Sequence, residues 1–333
     1  MNLKNYCNEE SFLKNLFFKD FSINKDSLKK LNFEKLIQIS SSHLILPALY
    51  VNLKKKKILR LFPIDFRNYL KNIYQINYNR NKEILNEAKE LFSILKSESI
   101  NFNFIKGVEY LMSEIYDNLG ERMIGDIDIL VEELKVFEVK VLLNKYDYFG
   151  DSNFKYMKNR HLPRLINTRK FAAVEIHTEL LLMKKKYLFN ADLYFNSLSL
   201  NYCDKISNLC ILNFQINDYG HLFGRYSYKT YYDLLMIQKF CSVKIKYLDN
   251  KYIRRFFLIS NQIGVTNEII NENYYDKLYM LRLKLKTNKF YNFWDKIVCK
   301  LIKYLPIRTK QIMEFLNSQY YRRKVFKAIK SKY

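Results

Sequence analysis

Residues 105–131 read IKGVEYLMSEIYDNLGERMIGDIDILV, and the reading of this stretch decides the fold. Two acids, Asp126 and Asp128, interrupt an apolar run from Ile124 to Val131 in which Ile127, Ile129 and Val131 are β-branched. Such a run predicts a buried strand. Strand side chains alternate faces, so Asp126 and Asp128 project to one side and Ile127 and Ile129 to the other. Two carboxylates held close repel each other and lose hydration unless a cation lies between them. Oxygen ligands suit Mg²⁺ or Mn²⁺ rather than zinc. An Asp-x-Asp pair alone is equally a strand end carrying two solvated acids, so the flanking sequence has to decide.

Upstream, Asn103 to Lys106 reads as a short strand that halts at Gly107. A helical pattern follows, with Val108, Leu111, Met112, Ile115 and Tyr116 on one face, and Gly120 is expected just past its end. Gly107 at a strand-to-helix turn would let a phosphate approach the backbone N–H groups. Downstream, Glu132 to Lys145 predicts a helix with Leu134, Phe137, Val141 and Leu142 facing inward. Arg160-His161-Leu162-Pro163 reads as a loop and Arg164 to Lys170 adds further basic residues. Phe171 to Ile176 reads as the next strand, on which Glu175 and His177 share a face.

The segments FIKGVEYL, ERMIGDIDILV and AAVEIHTELL resemble three blocks of the uncharacterised bacterial nucleotidyltransferase family, within the DNA polymerase β-like superfamily. The likeness extends weakly to HLILPALYVNL before the core and GHLFGRYSYKTYYDLLMI after it. The resemblance implies an α+β fold: a small mixed sheet with helices, flanked by mainly helical regions. It implies that Asp126, Asp128 and Glu175 ligate Mg²⁺ or Mn²⁺, two ions in all, and carry catalysis. It also implies transfer of a nucleoside monophosphate from a nucleoside triphosphate such as ATP to an acceptor, with pyrophosphate leaving. Lys106, Gly107 and Arg122 are the nearest candidates for the triphosphate, and His177 stands behind the acids. Many relatives carry Gly-Ser or Gly-Gly at the turn, whereas Val108 follows Gly107 here, so no serine hydroxyl is available to a phosphate. The 19-residue step from Gly107 to Asp126 is also longer than in many relatives. The acceptor is open: a small molecule, a sugar, a protein or tRNA. The competing readings are a metal-dependent Asp-x-Asp glycosyltransferase, which has no need of Glu175, and a non-catalytic RNA- or protein-binding module on a degenerate transferase fold.

Composition sets the outer bounds. The 333 residues suggest more than one domain, and 49% hydrophobic residues suffice for a real core. Only 7 Gly and 4 Pro leave few helix breakers. We expect a helical region over 1–98, a catalytic core over 99–200 and a second helical region over 201–333 ending in a basic tail. No stretch reaches the roughly 18 apolar residues needed to span a bilayer, and no secretory signal is read at the start. The five cysteines (Cys7, Cys203, Cys210, Cys241 and Cys299) lack C-x-x-C spacing and read as reduced thiols of a cytoplasmic protein. The net charge of +24 admits a nucleic-acid partner, yet its basic residues run through the whole chain, as an A/T-rich genome would produce. His43, His221 and Asp233 read as structural, with Asp233 paired to Arg225 or capping a neighbouring element.

Overall fold

The computed structural model describes residues 8–19, 28, 30–150, 160–196 and 200–330. Cys7, part of the aromatic stretch Tyr146 to Tyr156 and the last residues of the basic tail lie outside these. The chain divides into two compact units: one comprises 2–221 with 225–272, the other 222–224 with 273–333.

Among the described residues, the first unit opens with α1 (Asn8–Phe18), α2 (Phe33–Ser42), α3 (Leu46–Lys55) and α4 (Ile64–Ser97). Pro63 immediately precedes α4, where its missing N–H costs nothing. Ile84, Ala88, Leu91 and Leu95 repeat at helical spacing and are fully buried against the sheet. His43 ends α2, and its ring stacks near Tyr226 and Tyr228. Burial pulls its pKa down to about 4, as suits a core histidine.

The sheet has three strands in the order β1 (Phe102–Ile105), β2 (Ile127–Val131) and β3 (Val174–His177). β1 runs antiparallel to β2, and β3 parallel to it. Ile127, Ile129 and Val131 point into the core shared with α4, Val174 and Ile176. The opposite face therefore carries the acids.

Three local expectations are corrected. The helix after β1, α5 (Lys106–Met112), stops well short of Gly120. The left-handed residue beyond it is Glu114, and Gly120 is instead required because a Cβ there would press into the Tyr74 ring and the Tyr78 Cβ on α4. Next, α6 (Val136–Asn144) follows a 3₁₀ turn at Glu133–Lys135, and this later start changes its phase. It buries Val136, Val139, Leu142 and Leu143 and exposes Phe137 and Val141, while Leu134 in the 3₁₀ turn is exposed too. Lastly, residues 160–166 run beside β3 rather than looping freely. Leu162 N–H donates to the Ile176 carbonyl (2.9 Å), and Leu165 and Val174 exchange two bonds of 2.8 Å. Pro163 has no N–H to give, which keeps this pairing to isolated bridges.

The first unit continues through α7 (Ala191–Asn196), α8 (Tyr202–Leu212), α9 (Gly220–Phe223, whose last turn belongs to the second unit), α10 (Tyr228–Cys241) and α11 (Lys251–Ile263). The start of α8 and the end of α10 bring Cys203 and Cys241 to a Cα separation of 6.0 Å, where they form a disulfide. Five reduced thiols are therefore not what the structure contains. The partners lie 38 residues apart, so spacing gave no sign of the pair. Cys210 and Cys299 are free and buried. The second unit contains α12 (Tyr274–Leu285), α13 (Lys289–Asn317) and α14 (Gln319–Lys330). No single helix among the described residues is long and apolar enough to cross a membrane.

Candidate metal and nucleotide site

Asp128 is the hub. It sits opposite Ile105 on one side and Glu175 on the other, so the pairing register itself aligns the two carboxylates. Asp126 lies just before β2, two residues back and on the same face. His177 is two residues beyond Glu175 on β3, fully buried. Its Nε2 lies 2.8 Å from Asp128 Oδ1 and 3.3 Å from Glu175 Oε2. Ligand atoms of Asp128, Glu175 and His177 all fall within 4.8 Å of one another.

Two cations complete the cluster. Lys106 Nζ lies 2.5 Å from Asp128 Oδ1. Its backbone is left-handed (φ 61°), a costly conformation for lysine, at the junction of β1 and α5. Arg164, positioned by the pairing of 160–166 with β3, bridges two acids: its Nε meets Glu175 Oε1 and its Nη2 meets Asp126 Oδ2, each at 2.8 Å. Sequence reading noticed Arg164 only as one of several basic residues, because the bridging is created by tertiary pairing.

Electrostatics separate the three acids. Burial pushes Asp126 up, aided by Glu175 and Asp128 and opposed by Arg164. Burial also acts on Asp128, but Lys106 and His177 outweigh it and hold the carboxyl below its usual range. Glu175 is likewise held well down, by His177 and Arg164 against its burial. Burial and the neighbouring His177 pull His161 down, its ring 4.9 Å from that of His177.

Asp126 and Asp128 open into a cavity of about 160 Å³. Lys106, Gly107, Asn213, Asp218 and Lys229 also line it. Burial depresses the pKa of Lys229, and the nearby Arg122 adds to this. Lys229 and Asp218 went unnoticed in the sequence because neither falls in an acid-x-acid or glycine motif.

Arg122 borders the cavity, but its charge is already committed. It makes a buried bidentate pair with Asp233 (Nε–Oδ1 2.7 Å, Nη2–Oδ2 3.0 Å), and Tyr116 also donates to Asp233. The partner of Asp233 is thus Arg122, not Arg225, which donates to the Asp218 carbonyl. The guanidinium also lies over the Tyr110 ring, 4.9 Å from its centre. Gly107 makes room for this packing: a Cβ would collide with the Arg122 guanidinium and crowd Ile124. The loop leading to Asp126 is pinned from α4, where Asn77 donates to the Gly120 carbonyl (2.8 Å) and Asn81 to the Leu119 and Arg122 carbonyls (2.6 and 2.7 Å).

One further acid lies behind the site. Glu109 on α5 is wholly enclosed, accepts from Tyr194, and is pushed up to about 8 by burial. An acid whose folded pKa exceeds its unfolded one destabilises the fold as pH rises from the unfolded value, near 4.3, to the folded one. Glu109→Gln is therefore expected to raise the melting temperature at pH 8 by several degrees, and to leave it nearly unchanged at pH 4. Melting curves across that range check it. A larger gain at pH 4 than at pH 8 would reverse the sign.

A model of the family described as uncharacterised nucleotidyltransferase matches residues 29–202. No curated protein and no solved structure matches the chain significantly.

Proposed function

Since the chain belongs to the uncharacterised nucleotidyltransferase family, a family of transferases built on an α+β core with helical flanks, we propose that it moves a nucleoside monophosphate from a triphosphate to an acceptor. The observation that carries this reading is the register that seats Asp128 beside Glu175 with His177 in contact with both. The donor set fits a divalent cation: two carboxylates and an imidazole converge, and Lys106 and Arg164 already stand against the acids as positive charges. Asp128, Glu175 and His177 would hold the first ion and Asp126 with Asp128 a second, Mg²⁺ or, given the imidazole, Mn²⁺. When bound, these ions would acidify the attacking hydroxyl and neutralise charge on the leaving oxygens.

The chain's own groups supply the rest. Lys106, released from Asp128, offers its ammonium to the triphosphate, and Gly107 lines the cavity beside it. Lys229 on α10 lines the same cavity and adds a second cation there. The Glu175 carboxylate oxygen that the ion leaves free would take the proton of the acceptor hydroxyl, while His177 orients the two carboxylates. In this division 99–200 is the catalytic core, 1–98 braces it through α4, and 201–333 contributes part of the cavity lining.

Mn²⁺ binding followed by electron paramagnetic resonance tests the proposal. Glu175→Gln is expected to weaken binding about tenfold or more, and Arg164→Gln to strengthen it by removing a competing cation. Equal affinity in the wild type and Glu175→Gln would take the ion away from these carboxylates.

A further inference from the structure

The second unit carries an apolar surface that its own packing does not cover. In α13 the side through Asp295 and Cys299 is the inner one. Asp295 pairs with Arg282 (2.6 Å) and Lys286 (2.8 Å), and Arg282 reaches the Leu222 carbonyl at 2.7 Å. A different side presents Phe290, Trp294, Val298, Leu301, Leu305 and Ile312, each at least half exposed. Their spacing keeps them on one stripe along a helix of 29 residues. Lys289, Lys296, Lys300 and Lys303 lie on the opposite side of the same helix. α12 repeats the arrangement, with Tyr274, Leu278, Leu281 and Leu285 exposed and Asp276, Tyr279 and Leu283 buried. Monomeric proteins rarely expose contiguous apolar patches beyond a few hundred Å² without a partner for them.

Charge identifies the partner. Residues 273–333 contain sixteen Lys and Arg against three acids, a net +13 that is more than half of the chain's +24. The excess is therefore not evenly spread. A second copy of this unit would meet the same positive field. An RNA would satisfy the lysines but leave the aliphatic stripe in water. An anionic bilayer satisfies both, taking apolar side chains below its headgroups and attracting the basic face. A helix with one apolar stripe and a basic face is the kind that lies in the plane of a bilayer surface, and no single helix among the described residues is long and apolar enough to cross one. We propose that α13 and its unit dock on an anionic phospholipid surface through the stripe centred on Trp294, Leu301 and Leu305.

Trp294 is the only tryptophan in the chain, so its emission reports on the stripe directly. The full-length protein is titrated with vesicles of phosphatidylcholine alone, with the same vesicles containing phosphatidylglycerol, and with bulk tRNA. The expected result is a blue shift and co-flotation with the anionic vesicles, with partitioning at least about tenfold above neutral vesicles and weakening as salt rises. The variant Leu301→Ser/Leu305→Ser is expected to lose about tenfold in partitioning while keeping the parent's melting curve. Should it melt abnormally, Phe290→Ser at the exposed end of the helix serves in its place. Unchanged Trp294 emission with anionic vesicles would overturn the proposal. So would tRNA binding that persists in the stripe variant while vesicles fail to bind, or a dimer that the variant dissolves without any vesicle binding.

Discussion

Asp128→Asn is expected to lower nucleotidyl transfer by at least about 10²- to 10³-fold, the scale of losing a group that stabilises transition-state charge. Asp128 is the one carboxylate that touches both Lys106 and His177 and stands in register with Glu175. Two unpaired acids on one strand face would gain stability when one charge is removed. Here the charge is already balanced, so its removal is expected to cost about 1.5–3 kcal/mol, the worth of hydrogen bonds to a charged group. The variant should thus stay folded, with a modestly lower melting temperature. Full turnover at saturating magnesium would contradict the assignment, and a melting temperature above the wild type would contradict the electrostatic account.

The largest stability effect is expected from Arg122→Met. The substitution leaves Asp233 buried, with Tyr116 still donating to it but its cation gone. Breaking a buried pair by removing one partner costs about 3–5 kcal/mol. Methionine approximates the length of the arginine stem, so little of the loss comes from packing. Arg122→Met/Asp233→Leu removes both charges and is expected to recover much of the deficit. Urea unfolding of the two variants and the parent measures this. A single variant within about 0.5 kcal/mol of the parent, the usual range for surface changes, would show that the pair is not buried in solution.

How much of this was legible in the sequence follows from the range of the interactions. Period-two alternation is local, so the common face of Asp126 and Asp128, and that of Glu175 and His177, could be read directly. Helical spacing likewise exposed Ile84, Ala88, Leu91 and Leu95, which do face the sheet. The family likeness supplied the topology that brings β3 beside β2, which periodicity cannot. Phase was harder. The three-residue 3₁₀ turn before α6 shifts the helix start, and Phe137 and Val141 face outward. Partners distant in sequence were invisible: Arg122 with Asp233, 111 residues away, Arg164 across Asp126 and Glu175, and the disulfide between Cys203 and Cys241. The amphipathic stripe of α13 was visible as an aromatic and aliphatic pattern, but such a pattern looks the same whether it faces a core or solvent.

The most direct test of the central claim uses triphosphates labelled at either the α- or the γ-phosphorus, incubated with the protein, magnesium and a cell extract. The account predicts that α-label appears on an acceptor, that γ-label never does, and that Asp128→Asn abolishes the transfer. Transfer of γ-label, or α-label transfer undiminished in Asp128→Asn, would contradict it.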